Sequence, residues 1–259
     1  MPHAQRYSLH FVWMFFAILP TALLLSLFRP LSASAQDHSM HDMHAGMSMS
    51  VDEGQDPALQ ARLFADKRES EFNHHLAGFF VVLAGVFILA EGSFRERWPW
   101  VRYAWPVCFI LSGLFVLVWS DTELWPFGTQ SWYYGLTHHA EVLQHKVFAL
   151  LLLAVGGVEF RRARKGVKSA WDGWVFPVIA MIGSTMFFFH DHQAGMHAPN
   201  HMELMQRIQS QHFSFAVAGF GIGLSKGMAE TKTAWQTFFA RLFPALLMVL
   251  GALLLVYAE

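Results

Sequence analysis

Six apolar runs constrain the fold of this chain more than any other feature. They lie near residues 75–91, 103–119, 147–159, 174–189, 212–225 and 239–257. A helix needs about 20 mostly apolar residues to cross the hydrocarbon core of a bilayer, and several of the runs approach that length. Since 54% of the residues are hydrophobic and 14% are charged, the sequence predicts an all-α fold: a polytopic membrane helical bundle with six transmembrane helices.

The N-terminus has the layout of a secretory signal peptide. Arg6 precedes the apolar run FVWMFFAILPTALLLSLF, and the small residues of Ala33–Ala35 resemble a cleavage site. We therefore expect residues 1–35 to be a cleaved signal peptide, the alternative being an uncleaved membrane anchor.

Cleavage defines two further parts of the chain. Residues 36–70 become an extracytoplasmic tail that is rich in His and Met and ends in a short amphipathic helix with Pro57 at its first position. Residues 71–259 become the six-helix transmembrane domain. The single cysteine, Cys108, excludes a disulfide within the chain.

The basic residues predict the orientation. With a cleaved signal peptide the mature N-terminus is outside, and the predicted inner loops then carry eleven Lys and Arg against five in the outer segments. This bias satisfies the positive-inside rule. We expect a multi-pass protein of a bacterial-type inner (plasma) membrane with both mature termini extracytoplasmic. The net charge of −1 does not indicate nucleic-acid binding, which is typical of strongly basic proteins.

Three segments share a pattern that indicates an internal repeat. Each has an aromatic residue before a proline, a glycine six or seven residues later and an acid further on. A histidine precedes each proline by nearly the same interval. The prolines are Pro106, Pro177 and Pro244, the glycines Gly113, Gly183 and Gly251, the acids Asp121, Asp191 and Glu259, and the histidines His75, His145 and His212. We interpret the pattern as three helical hairpins of one design; the alternative is a chance likeness among apolar runs.

The histidines are predicted to lie on one side of the membrane, and some of them below its outer boundary. All thirteen histidines after residue 35 fall in the predicted outer tail, outer loops or outer helix ends. The runs at 147–159 and 212–225 give only roughly 20 Å of apolar helix, against a hydrocarbon core about 30 Å thick. Outer residues must complete these spans, which draws His145 and His212 below the outer boundary. Polar groups at that depth face each other, a ligand or water, so we predict a polar pocket in the outer half of the membrane.

Helical spacing suggests which side chains converge there. His138, Glu141 and His145 are expected on one helix face, and His201, Met205 and His212 on another. The candidate metal ligands are therefore His75, His145, His212, His138, Glu141, His190, His192, His201 and Met205. For a single histidine the alternative is helix capping or contact with lipid headgroups.

The ligand types favour copper. Imidazole binds copper, zinc and iron, whereas thioether selects copper(I); without a cysteine pair, copper is favoured over zinc. The tail combines both ligand types and is expected to capture metal, the alternative being a low-complexity linker. Its candidate ligands are His38, Met40, His41, Met43, His44, Met47 and Met49.

Two segments resemble a known family. The stretches EFNHHLAGFF and EVLQHKVFALLLLAVGGVEFRR, together with the outer His and Met residues, are similar to the copper-resistance D (CopD-like) group of integral membrane proteins. The resemblance spans residues 71–225. It implies copper passage or handling at the inner membrane, with His75, His145 and His212 as copper ligands.

These observations predict a copper-binding membrane protein that acts in copper uptake, transfer or homeostasis rather than as an enzyme. Its expected partners are the lipid bilayer, the metal ion and a periplasmic copper chaperone or an oxidase-type complex. The alternatives are a membrane metalloenzyme with copper, iron or zinc, a b-type subunit with one haem, and a structural subunit of a larger complex.

Overall fold

The computed structural model describes residues 57–166, 170–189 and 201–258. The described chain forms seven α-helices: α1 Pro57–Phe94, α2 Val101–Trp119, α3 Trp132–His138, α4 Ala140–Lys165, α5 Val175–Met186, α6 His201–Ala229 and α7 Gln236–Leu255. Two 3₁₀ turns, Ala170–Gly173 and Phe187–Phe189, flank α5. Within these ranges there is no β-strand, only an isolated bridge between Leu124 and Gln130. The predicted all-α class is confirmed, while the predicted signal peptide and His/Met-rich tail lie outside the described residues.

Four helices are long and apolar enough to cross a membrane: residues Phe64–Phe94 of α1, and the whole of α2, α4 and α7. The apolar runs at 174–189 and 212–225 form helices of a different kind. Helix α5 has 12 residues, and α6 has 29 residues but opens with a polar segment. Length and composition therefore support membrane insertion and establish four candidate spans within the described ranges.

Helix α1 is longer than the sequence predicts. The expected amphipathic segment and the first apolar run form one continuous helix of 38 residues. It begins at Pro57, where the missing N–H of proline costs no hydrogen bond. The polar segment thus continues the first apolar helix without a break.

Six of the helices form a closed ring. Helix α1 packs on α2, α2 on α4, α4 on α5, α5 on α6, α6 on α7, and α7 returns to α1. Helix α3 packs on α4, outside the ring. The side chains that fill the interior include Phe109, Phe176, Phe215 and Leu247, all at most 6% exposed.

Three of these helix pairs approach closely, at glycines that face prolines. A Cβ atom on Gly85 would lie 2.8 Å from the carbonyl oxygen of Pro244. On Gly156 it would lie 2.9 Å from that of Pro106, and on Gly223 it would lie 3.2 Å from that of Pro177. Small residues permit such close backbone contact between membrane helices. The pairs are α1–α7, α4–α2 and α6–α5, so the second helix of each hairpin packs on the first helix of the next.

These contacts support the repeat and correct its register. The sequence intervals His74–Gly85, His145–Gly156 and His212–Gly223 are identical, and so are the intervals His74–Pro106, His145–Pro177 and His212–Pro244. The repeat position in the first hairpin therefore belongs to His74 and not to His75. The three prolines are all fully buried, as expected of equivalent positions in one packing scheme.

The ring has two chemically different ends. The histidine end carries His74, His145 and His212. The arginine end carries the connections α1–α2, α4–α5 and α6–α7, where Trp98, Trp100, Trp171 and Trp235 are exposed. Exposed tryptophans at helix ends are typical of a membrane interface.

Candidate functional site

A cavity of about 220 Å³ lies inside the ring and is lined by all six of its helices. The second helix of each hairpin, together in α5 with the turn that follows it, contributes three positions that are equivalent when counted from its proline. These sets of residues are Phe109, Ala180 and Leu247; Ser112, Gly183 and Leu250; and Val116, Phe187 and Leu254. The cavity therefore lies where the three repeats meet, and its wall is mostly apolar.

The polar part of the cavity wall is at the histidine end. It consists of Asn73 and His74 on α1, Ser120 after α2, and His145 on α4, and the other polar residues of the wall are Ser112 and Ser184. The Asn73 amide donates to the carbonyl oxygen of Ser120 at 3.1 Å, which joins α1 to the end of α2. Two histidines at the repeat position thus line one cavity.

His145 is held by an acid. Its Nδ1 atom donates to Oδ1 of Asp121 at 2.9 Å, and the other carboxylate oxygen accepts from Nζ of Lys146 at 2.6 Å. The hydroxyl of Ser120 also donates to Asp121. Asp121 and Lys146 are both about 5% exposed. In a neutral imidazole with Nδ1–H donating, the basic nitrogen is Nε2.

The neighbours of Asp121 decide its charge. Burial acts to raise the pKa of this carboxyl, but the hydrogen bond from His145 and those from Lys146 and Ser120 lower it, and the pKa ends below its ordinary value. Asp121 is therefore an anion at neutral pH and polarises the His145 ring.

His74 is held by the backbone. Its Nδ1 donates to the carbonyl oxygen of Ser70 at 2.8 Å, one turn earlier. Its ring stacks on Tyr257 with centroids 3.9 Å apart. The two contacts fix both the tautomer and the plane of the imidazole.

His212 completes the repeat but sits deeper in the protein wall. It is 2% exposed, and its ring centroid lies 6.1 Å from that of His74. The rings of Phe187, Phe215 and Tyr257 lie 5.9, 5.6 and 6.0 Å away. Two of the three repeated imidazoles are therefore neighbours.

His75 has a different position from the one predicted. Its Nε2 bonds the carbonyl oxygen of Tyr257, just after α7, at 3.0 Å. Lys146, which follows His145 as His75 follows His74, reaches the last turn of α2 at Val116 O, 3.4 Å away. The second residue of each pair thus binds the C-terminal end of a neighbouring helix, where carbonyl oxygens need donors.

The predicted face with His138, Glu141 and His145 is interrupted. His139 has an extended backbone, φ −119° and ψ 104°, and separates α3 from α4. His138 is exposed, with its ring stacked on Tyr134 at 4.3 Å and its Nδ1 2.8 Å from the Thr137 hydroxyl. The predicted helix face shared with His145 was wrong for His138, because the extended residue His139 redirects the chain.

The other predicted ligands have these positions. Glu141 is in the first turn of α4, and Met205 is half-buried in α6, which begins at His201. Among the residues that the structure describes, no group of three or more His, Cys, Asp or Glu side chains is arranged to hold a metal ion. His190 and His192 lie outside the described residues, as do the tail residues His38, Met40, His41, Met43, His44, Met47 and Met49.

Sequence reasoning missed the site positions of His74 and Asp121. A strictly uniform interval between histidine and proline would have selected His74 over His75. Asp121 was identified only as a repeated acid, and its contact with His145 required the packing of α2 on α4.

A charged network ties the helices together at the arginine end. Arg162 on α4 donates to Glu159 at 2.8 Å and to Glu230 at 2.9 Å, and Lys226 on α6 lies 2.5 Å from Glu230. Glu159 is 3% exposed. This network joins α4 to the end of α6. It lies at the opposite end of α4 from His145.

Comparison with known proteins gave no further assignment: no family model, no curated protein and no solved structure matches this chain.

Proposed function

We propose that this chain is a copper-binding membrane protein that acts in copper uptake, transfer or homeostasis, with its site at the histidine end of the ring. One observation carries the proposal. His74 and His145 line the same cavity, and each donates its Nδ1 proton to a protein acceptor, Ser70 O or Asp121. Histidines that bind metals are commonly oriented in this way, by a carbonyl or a carboxylate on the other ring nitrogen.

A third ligand for the metal can come from either of two sources. His212 is the repeat-equivalent imidazole and lies beside His74. The His- and Met-containing segment 190–205, which includes His190, His192, His201 and Met205, supplies alternative donors by sequence. Imidazole with thioether suits copper(I), so either source is compatible with the proposed metal.

The proposal includes a membrane topology. Six spans follow a cleaved signal peptide, and the histidine end and both mature termini are extracytoplasmic, in an inner (plasma) membrane of bacterial type. The surplus of Lys and Arg in the three connections at the arginine end supports this orientation. The His/Met-rich tail then lies on the same side as the cavity histidines and collects copper for them.

The resemblance to CopD-like proteins is consistent with this role. It suggests that copper either passes inward or is handed to a periplasmic chaperone or an oxidase-type complex. The wall of the cavity beyond the histidines is apolar, and it supplies few ligands for a metal path towards the arginine end. Storage or transfer at the histidine end is therefore favoured over passage through the ring.

Element-resolved mass spectrometry tests the proposal. The protein is purified in detergent without a histidine tag, loaded with copper(I) and freed of excess metal. We expect near-stoichiometric copper, lost in His74→Ala and His145→Ala. His212→Ala separates the two sources of the third donor, because it lowers retention only if His212 binds the metal.

His75→Ala and His138→Ala are the matched controls, since both remove an imidazole from the same end of the protein without touching the cavity wall. Both variants are expected to keep their copper. Full retention of copper in His74→Ala and His145→Ala together would refute the site, and stoichiometric iron or zinc in place of copper would refute the metal.

A further inference from the structure

Helices α4 and α5 pack together differently from the helices of the other two hairpins. Helix α1 packs along α2 and α6 along α7, whereas α4 and α5 approach each other less closely. Contacts join them near both ends. The rings of Phe148 and Phe187 have centroids 5.0 Å apart, and Nη2 of Arg161 donates to Oδ1 of Asp172 at 2.6 Å. Between these contacts both helices line the cavity, so the most open hairpin of the ring lies beside the apolar space.

The cavity lies beside α5 because this helix carries small residues. Ala180 occupies the repeat position of Phe109 and Leu247, which are 6% and 2% exposed, and Gly183 occupies that of Leu250. The space that large side chains fill in the other repeats is therefore left open at α5. An apolar cavity of about 150 Å³ in another protein stays dry and takes up benzene, so 220 Å³ has room for a longer piece of hydrocarbon.

The connection between α4 and α5 is the most basic of the three at the arginine end. Residues 161–172 contain five Lys and Arg and one acid, whereas residues 95–102 and 226–241 each contain three and one. The first two arginines of this segment form ion pairs. Arg164 and Lys165 are exposed and form no ion pair within the described part of the chain. Two adjacent cations can therefore be reached by an anion at this end of α4.

The depth of these cations fits the headgroup region of a bilayer. Trp171, in the turn before α5, is 64% exposed, and exposed tryptophans are typical of the membrane interface. Val155, the cavity residue of α4 nearest to the arginine end, precedes Arg164 by nine residues, or about 14 Å of helix. Half of a hydrocarbon core is about 15 Å thick. A lipid with its phosphate at Arg164 therefore has acyl chains long enough to reach the cavity.

We propose that an acidic phospholipid binds between α4 and α5, with its phosphate at Arg164 and Lys165 and one acyl chain in the apolar cavity. The charge of the site selects the headgroup, because clustered cations at a membrane surface attract anionic lipids. The small residues of α5 provide the space for the chain. This site uses the arginine end and the apolar wall of the cavity, and it does not depend on the proposed copper donors.

The test compares two lipids that have the same acyl chains. The full chain is placed in nanodiscs of phosphatidylcholine, in which the lipid is replaced stepwise by phosphatidylglycerol, whose headgroup has a net negative charge. The thermal unfolding midpoint at each composition gives an apparent affinity by mass action. We expect the midpoint to rise with the fraction of phosphatidylglycerol and then to saturate.

The double variant Arg164→Gln with Lys165→Gln tests the headgroup contacts. We expect it to weaken the affinity for phosphatidylglycerol about 25-fold, since each cation near an anionic lipid surface contributes about a factor of five. The matched control is Arg95→Gln with Arg97→Gln, which removes two exposed cations from the same end of the protein. This control is expected to bind phosphatidylglycerol as the parent does.

Ala180→Leu tests the position of the acyl chain. It gives α5 the side chain that α7 has at the equivalent position, Leu247, and fills part of the cavity. We expect a weaker affinity for phosphatidylglycerol, because the chain loses part of its space. Gly183→Ala serves the same purpose if Ala180→Leu does not fold; its Cβ would meet only Phe148, at an ordinary 3.5 Å.

Four results would contradict the proposal. A midpoint that does not change with phosphatidylglycerol would mean that no acidic lipid binds. Equal losses in the two double variants would mean a diffuse effect of charge. An equal rise on adding sodium phosphate to phosphatidylcholine nanodiscs, at matched ionic strength, would mean a site for a soluble anion. Parental affinity in both cavity-filling variants would place the acyl chain outside the cavity. Copper retention in the glutamine variants is expected to stay unchanged, so the copper proposal is tested separately.

Discussion

Asp121, just beyond the end of α2, accepts a hydrogen bond from Nδ1 of His145 on α4 at 2.9 Å. The contact orients a cavity imidazole with a carboxylate that also neutralises the buried ammonium of Lys146. One acid therefore serves both the stability of the α2–α4 pair and the chemistry of the histidine end.

Replacing Asp121 with Asn should destabilise the protein strongly. The change leaves the buried Lys146 ammonium without its anion, and removing one partner of a buried pair costs about 3–5 kcal/mol. Thermal unfolding in detergent measures the loss. The double variant Asp121→Asn with Lys146→Met removes both charges and should recover much of it. A single variant as stable as the parent would contradict the role of this pair.

The same substitution should weaken copper binding. If Asp121 orients His145 as a ligand, Asp121→Asn lowers copper affinity by about 10- to 100-fold, the usual effect of removing a group that orients a metal-binding histidine. Competition with a copper(I) chelator measures the affinity on protein that has remained folded. Glu123→Gln, an exposed acid two residues away, is the control and should bind copper as the parent does.

Two adjacent glycines on α4 should respond oppositely to alanine. In Gly156→Ala the new Cβ would lie 2.6 Å from Cγ1 of Ile110 and 2.9 Å from the Pro106 carbonyl oxygen, so α2 and α4 must separate. We expect a loss of about 1–3 kcal/mol, as in overpacked cores. In Gly157→Ala the Cβ meets nothing within 4 Å, and helix propensity predicts a gain of up to about 1 kcal/mol. Equal unfolding midpoints for the two variants would refute the close α2–α4 contact.

Stability should fall in acid through Glu230. Burial acts to raise the pKa of this carboxyl, but Lys226 and Arg162 lower it below its ordinary value of 4.5; Glu159 faces the same arginine. A carboxyl whose pKa is lower in the folded state stabilises the protein above its ordinary pKa, and that contribution disappears as the pH falls through the lowered value. Below pH 4.5 the unfolding midpoint should therefore drop more steeply in the parent than in Glu230→Gln. Parallel curves would show that Glu230 is not the group responsible.

Deleting residues 36–50 should slow copper loading without removing the tightest-bound copper. The segment holds the tail ligands His38, His41 and His44 with their methionines, which are proposed to capture metal for the cavity histidines. Stopped-flow loading from a weak copper(I) donor gives the rate, and equilibrium retention gives the occupancy. A scrambled tail of the same composition is the control, and loss of equilibrium copper on deletion would place the main site in the tail.

Much of the architecture was determined by local sequence. Long apolar runs can satisfy their backbone groups in a bilayer only as helices or closed barrels, and runs of this length predict helices. Pro57 also marked the start of α1, and the three repeated prolines are the positions at which neighbouring helices approach closely. Such features depend on neighbours within one or two helical turns, which a sequence displays directly.

The composition of the site was decided by tertiary structure. His74 and His75 are adjacent and chemically identical, and only the packing of α1 on α7 turns one towards the cavity and the other towards the end of α7. Asp121 meets His145 because α2 and α4 touch through Gly156. Sequence spacing gives the face of a helix, but which face meets a cavity depends on contacts between residues far apart in the chain.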